Sequence, residues 1–142
     1  MMTKKRAEAE LKVLRKELPD NIYRFLDMDT DHPYLAIAAK TNAGNVYTLK
    51  IELADFPESV PRVFVNYMLY DANNNPLNIP NSSMHTLRSE NGCTQICHYG
   101  RNSWTNMVSL YKVYIRCRLW LEIYEEHLRT GEPIDHYLYH QY

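Results

Sequence analysis

The chain is short of cysteine, of charge in excess, and of long apolar runs, and each shortage excludes something. Cys93, Cys97 and Cys117 are its only cysteines, an odd set. That argues against a disulfide framework and for free thiols in a reducing cytoplasm. No apolar stretch approaches the ~20 residues of a membrane span, and the charged, polar start carries no leader pattern before the first helix. With 16 Lys and Arg against 17 Asp and Glu, the formal charge is −1, so no net field draws the chain to nucleic acid. The basic run Lys4-Lys5-Arg6 reads as a solvated helix start. Phenylalanine is rare, three against twelve tyrosines. Tyr buries a ring while keeping a polar tip, which suits half-buried sheet faces and interfaces. Nothing in the composition calls for a cofactor.

What is present fits a single domain over all 142 residues, with residues 134–142 as a C-terminal tail. Ala7, Leu11, Leu14 and Leu18 recur at helical spacing, Thr3 is placed to cap their helix, and Pro19 stops it. Strands are expected over 21–28, 34–40 and 46–53, with Thr41–Asn45 a turn. In the third, Tyr47, Leu49, Ile51 and Leu53 alternate with Thr48, Lys50 and Glu52, the pattern of an antiparallel strand with one wet face. Pro57 and Pro61 break the ladder, and Arg62–Tyr67 reads as a fourth strand. Short connections make the four strands a meander. Periodicity then vanishes from Met68 to Ser103, an irregular stretch long enough to suggest function.

A helix is expected from Met107 to about Leu128, with Leu110, Val113, Cys117, Leu121, Tyr124 and Leu128 on one face and Ile115, Leu119 and Ile123 widening it. Arg118 and Glu122 are spaced to pair. Gly131 is placed to cap this helix and Pro133 to prevent its resumption. The tail is rich in Tyr and His, and periodicity does not decide whether it docks on the domain or on a partner. Cys117, inside the apolar stripe, is expected to be buried and inert.

The centre of interest is Asn91–Trp104. Asn91-Gly92 is a turn signal, Gly100 a second flexible point, and polar residues between them read as loop. A thiol on a Gly-flanked loop beside a rigid helix is where a nucleophile is placed. Cys97 is therefore expected to be accessible. The plain alternative is a surface loop with incidental cysteines, because free Cys is often a small core residue.

The order of motifs resembles ubiquitin-conjugating enzymes. The alternating strand Tyr47–Leu53 is followed by Phe56-Pro57, by Pro61 four residues later, and by the Val-rich Val63-Phe64-Val65. Then come His85, Gly92, Ile96-Cys97 and Trp104 in the family's order. The resemblance covers most of the chain up to Trp104. It implies an α+β fold of the ubiquitin-conjugating type: an N-terminal helix, a four-stranded antiparallel meander, a long active-site loop and a long C-terminal helix. Two features depart from the family. His85-Thr86-Leu87 replaces His-Pro-Asn, which removes the family's oxyanion-stabilising Asn, and the Gly92–Cys97 spacing is longer. The single helix after Trp104, with Trp120, Tyr124, His127 and the Thr130-Gly131 stop, is similar to bacterial conjugating-enzyme-like proteins of CBASS anti-phage operons.

The resemblance implies a thioester transferase. Cys97 would accept the C-terminus of a cGAS-like nucleotidyltransferase, and a lysine or other amine would receive it. His98 and Arg101 are near enough in sequence to favour a thiolate. His85, Asn91 and Asn102 are candidate oxyanion donors, with a loop N–H as a further one, and His85 reads equally well as a residue pinning the loop. Three other readings stand beside this one. A zinc site from Cys93, Cys97, His98 and His85 lacks the usual paired spacing. A Cys–His hydrolase has no signature here. A binding module of the same fold, without chemistry, is favoured by the absent Asn and disfavoured by the presence of Cys97.

Overall fold

The computed structural model describes residues 1–100 and 102–138. Helix α1 spans Lys4–Glu17, with the Thr3 side chain accepting from the Arg6 N–H at 3.0 Å. Leu14 is fully buried, and such a side chain stabilises by about 1.5–3 kcal/mol. The strands are β1 (Tyr23–Leu26), β2 (Tyr34–Lys40), β3 (Val46–Glu52), β4 (Val63–Val65), β5 (Thr86–Glu90) and β6 (Cys93–Ile96). They form one six-stranded sheet in the order β1-β2-β3-β4-β6-β5, antiparallel throughout.

The fold is thus α+β as expected, but the sheet has six strands rather than four. The additional pair lies inside the stretch without periodicity. Cys93–Ile96, expected as loop, is strand β6 and pairs directly with β4. Its hidden character has a physical cause. Thr94, Gln95 and Ile96 are all buried, so both faces of β6 are covered and no polar alternation marks it.

Helix α2 (Leu110–Thr130) lies across the face of the sheet that carries Leu35, Ile37, Leu49 and Ile51. Its buried stripe contains Leu110, Val113, Cys117, Leu121 and Tyr124, as the spacing predicts. Trp120 is fully buried as well, whereas Leu119 and Leu128 are exposed. The stripe is rotated because the Trp120 indole N–H reaches the Met84 carbonyl at 3.1 Å, which turns the large ring inward. Arg118 and Glu122 do not serve each other. Arg118 donates to the Lys40 carbonyl and Glu122 accepts from the Asn42 N–H, so both clamp the β2–β3 turn.

The two helices join through a buried carboxylate. Glu10 accepts from Arg6 at 2.8 Å and from the Leu110 N–H at 2.6 Å. A negative group at a helix start satisfies an orphan donor and complements the dipole. Gly131, at φ +80°, caps the far end of α2, its N–H donating to the His127 carbonyl. The chain then returns to the domain. Ile134, just before the short helix α3 (Asp135–Leu138), and Leu138, its last residue, are buried, so this part of the tail docks on its own core. Residues 139–142 lie outside the described residues. Among the described residues no helix is long and apolar enough to cross a membrane.

Candidate functional site

Cys97 follows the last residue of β6, and His85 precedes the first residue of β5. Their backbones face each other one step beyond the ladder, with the Cys97 N–H donating to the His85 carbonyl at 2.9 Å. Cross-strand neighbours of this kind bring side chains close. Both line an open pocket of about 460 Å³, together with Asn81, Ser82, Leu87 and Asp135. Its floor is shaped by a polar turn, in which the Asn81 side-chain oxygen accepts from the Ser83 and Met84 N–H groups. His85 itself has φ +51°, a left-handed conformation unusual for a residue with Cβ. The Cys97 N–H bond at its carbonyl holds that conformation in place.

The imidazole is fixed from the other end of the chain. His85 Nε2 lies 2.7 Å from Asp135 Oδ1 on α3. A carboxylate only accepts, so Nε2 carries the proton. The Asp135 N–H in turn donates to the Ser83 carbonyl at 2.7 Å. Asp135 was not singled out by sequence reasoning. Its signal was the Ile134/Leu138 pair, one helical turn apart after Pro133, which marks a short amphipathic segment returning to the core.

The Cys97 thiol is partly buried, and burial raises its pKa. A thiol raised above its ordinary value is protonated at neutral pH and needs a base to react. His98 supplies no positive charge. It is buried, its Nε2–H donates to the Pro61 carbonyl at 2.8 Å, and Nδ1 has no hydrogen-bond partner among the described residues. Burial pushes its pKa down to about 4, with nearby Arg116 adding to the fall and Pro61 opposing it. Its task is to tie the segment after Cys97 to the residues before β4. Trp104 helps: its indole N–H donates to the Pro57 carbonyl at 3.0 Å, and its ring meets Phe56 and Tyr99 edge-on. Arg101 lies outside the described residues.

The remaining sequence candidates are scattered. Asn91 sits at the β5–β6 turn and lines a separate pocket with Glu52, Arg62 and Glu90. Asn102 is exposed and lines neither pocket that Cys97 borders. Cys93 is at the same hairpin tip as Asn91, its thiol 3.7 Å from the Asn91 carbonyl oxygen. Among the described residues no group of three or more His, Cys, Asp or Glu is placed to hold a metal ion. Cys117 is fully buried in α2, and burial pushes its thiol far above the ordinary range.

Chemically the pocket offers one reachable thiol, one oriented imidazole and one carboxylate behind it. The chain matches no protein-family model, and no curated protein and no solved structure matches it.

Proposed function

We propose that the chain is a cysteine acyl transferase of the ubiquitin-conjugating kind, in which Cys97 holds the C-terminus of a partner protein as a thioester. The observation that carries this reading is Cys97 and His85 lining one open pocket at the end of the β5–β6 hairpin. Cys97 Sγ bonds to the carbonyl carbon of the donor, the donor's leaving group departs, and the thiol proton passes to a base. An amine then attacks the thioester, a C–N bond forms and the thiol is restored. A positioned general base contributes typically 10²–10⁴ in rate. From the motif order given above, the donor is the C-terminal tail of a cGAS-like nucleotidyltransferase in bacterial anti-phage defence, and the acceptor a lysine or other amine.

A second reading has its own observation. The raised pKa of Cys97 suits a docking module of the same fold that does no chemistry. One experiment separates them. Wild-type protein and Cys97→Ser are co-expressed with the neighbouring genes and weighed intact, since a serine ester outlives a thioester. Cys97→Ala is assayed alongside for phage protection and partner binding. The transferase reading expects an acyl mass on Cys97→Ser and lost protection in Cys97→Ala. No adduct, with protection and binding both retained in Cys97→Ala, leaves the docking module standing.

A further inference from the structure

We propose that the smaller of two pockets beside Cys97 is a specificity subsite, which takes one apolar side chain of the acyl donor and whose limit is set by Leu87. The inference rests on the reading of Cys97 as an acyl acceptor, and deepens it by naming the kind of donor. Cys97 borders two pockets, of about 460 and 150 Å³, and Leu87 lines both as well. Leu87 is thus part of the wall between them. An acyl group on Cys97 lies beside both pockets, and the two differ in chemistry. The larger presents His85, Asp135, Asn81 and Ser82, polar groups that an apolar side chain would strip of water at a cost. The smaller is walled by Val60, Pro61, Leu87, Ile96 and Tyr99.

Arg62 also borders the smaller pocket, but its guanidinium is tied to Glu52 and Glu90 and lies over the Phe64 ring. Its charge is therefore already answered, and the apolar walls decide what enters. A cavity of about 150 Å³ holds a group the size of benzene. A leucine side chain fits that space and a tryptophan does not. An extended chain advances about 3.3 Å per residue. The side chain that reaches a pocket bordering Cys97 therefore belongs to the donor's last residue or to the one before it.

The test uses the full chain and p-nitrophenyl esters, which acylate a thiol without any partner protein. Sγ bonds to the acyl carbon, the C–O bond breaks, p-nitrophenolate leaves with its electron pair, and the thiol proton goes to buffer base. The donors are N-acetyl-X and N-acetyl-X-glycine esters, with X as glycine, leucine, tryptophan or aspartate, so the two series read the last residue and the one before it. p-Nitrophenyl acetate, which carries no side chain, is the reference. Each rate is divided by that ester's rate with free N-acetylcysteine, and peptide mass confirms acylation at Cys97. In wild type, leucine is expected to exceed glycine and aspartate about ten-fold in one of the series, and tryptophan to fall behind leucine. Leu87→Ala, at a position 38% exposed, spares the core and shortens the shared wall. Its tryptophan-to-leucine ratio is expected to rise to near one. Leu87→Asp is expected to abolish the preference for leucine over glycine. Equal rates for leucine, glycine and aspartate in both wild-type series overturn the proposal. So does a preference for aspartate, which would mean that Arg62 reads the donor, and so does a profile that Leu87→Ala leaves unchanged. The two readings fail separately. A flat profile, with a partner adduct still formed on Cys97→Ser, removes the subsite alone. A leucine preference with no partner adduct removes the transferase reading alone. Cys97 left unmodified by every ester removes both.

Discussion

The two hairpins of the sheet are built on opposite rules. β2 and β3 pair over seven residues in unbroken register, from Tyr34–Glu52 to Lys40–Val46. Along β3 burial alternates strictly, and each inward side chain is apolar. β5 and β6 pair over a shorter span, with a register shift between Leu87 and Glu90. Their hold on the molecule is polar and non-local. Thr94, fully buried, accepts from the Leu69 N–H and donates to the Leu77 carbonyl, while the Ser89 N–H donates to the Asn78 carbonyl. The regular hairpin carries the core and the irregular one carries the thiol. The inward side chains of β2 and β3 are committed to the core. A hairpin held by hydrogen bonds at its margins can end in an open pocket.

The largest test of this contrast is to truncate a leucine in each hairpin. Leu49→Ala, in the β3 core, is expected to cost about 2–5 kcal/mol, because it removes a fully buried side chain and leaves a cavity. Leu87→Ala, at an exposed position in β5, is expected to stay within about 0.5 kcal/mol. Urea unfolding of both variants beside wild type checks the pair. Comparable losses would mean that β5 is as much a part of the core as β3.

The next effect is a pH dependence confined to the irregular side. His98 titrates near 6.5 when unfolded and is pushed down to about 4 when folded. Between those values the unfolded chain binds a proton that the folded chain refuses. Stability from this group is therefore intact above about pH 6.5, falls as pH drops toward 4, and is lost below it. The shift corresponds to a loss on the order of 3 kcal/mol. Measuring unfolding of wild type and His98→Gln from pH 7.5 to 4 isolates it from the carboxylates. The stability gap between them is expected to move in favour of the variant as the pH falls. A gap constant with pH would show that His98 is not held neutral.

The same contrast explains what could be read from the chain in advance. β3 was legible because half of it faces water: Tyr47, Leu49, Ile51 and Leu53 are all buried and the residues between them are not. α2 was legible for the same reason, although the Trp120 bond to Met84 rotates its stripe in a way spacing does not encode. β6 was not legible, because Thr94 and Gln95 are polar yet buried, and the partners of the Thr94 hydroxyl lie elsewhere in the chain. Of the site, Cys97 and His85 could be picked out locally. Asp135 could not, since its meeting with His85 closes a separation of 50 residues and depends on where α2 ends. Asn91 was drawn into the site by the local turn signal, and the paired strands carry it away again.

That last displacement gives the smallest and sharpest test. Asn91 and Gly92 both have positive φ, +53° and +74°, which is the geometry of a two-residue turn joining β5 to β6. Six residue steps separate Asn91 from Cys97, about 20 Å of extended chain, so the Asn91 amide is out of reach of an oxyanion forming at Cys97. Replacing it by alanine puts a Cβ-bearing residue with no local hydrogen bond into the left-handed region, a cost of about 1 kcal/mol. Asn91→Ala is thus expected to lower the urea midpoint slightly and to leave acetylation of Cys97 by p-nitrophenyl acetate at the wild-type rate. Losing an oxyanion donor would instead slow the chemistry by about 10²–10³. A slowing of that size in a folded variant would mean that the hairpin folds back on itself during the reaction. The division between a packing hairpin and a site-bearing one would then have to include the turn at its tip.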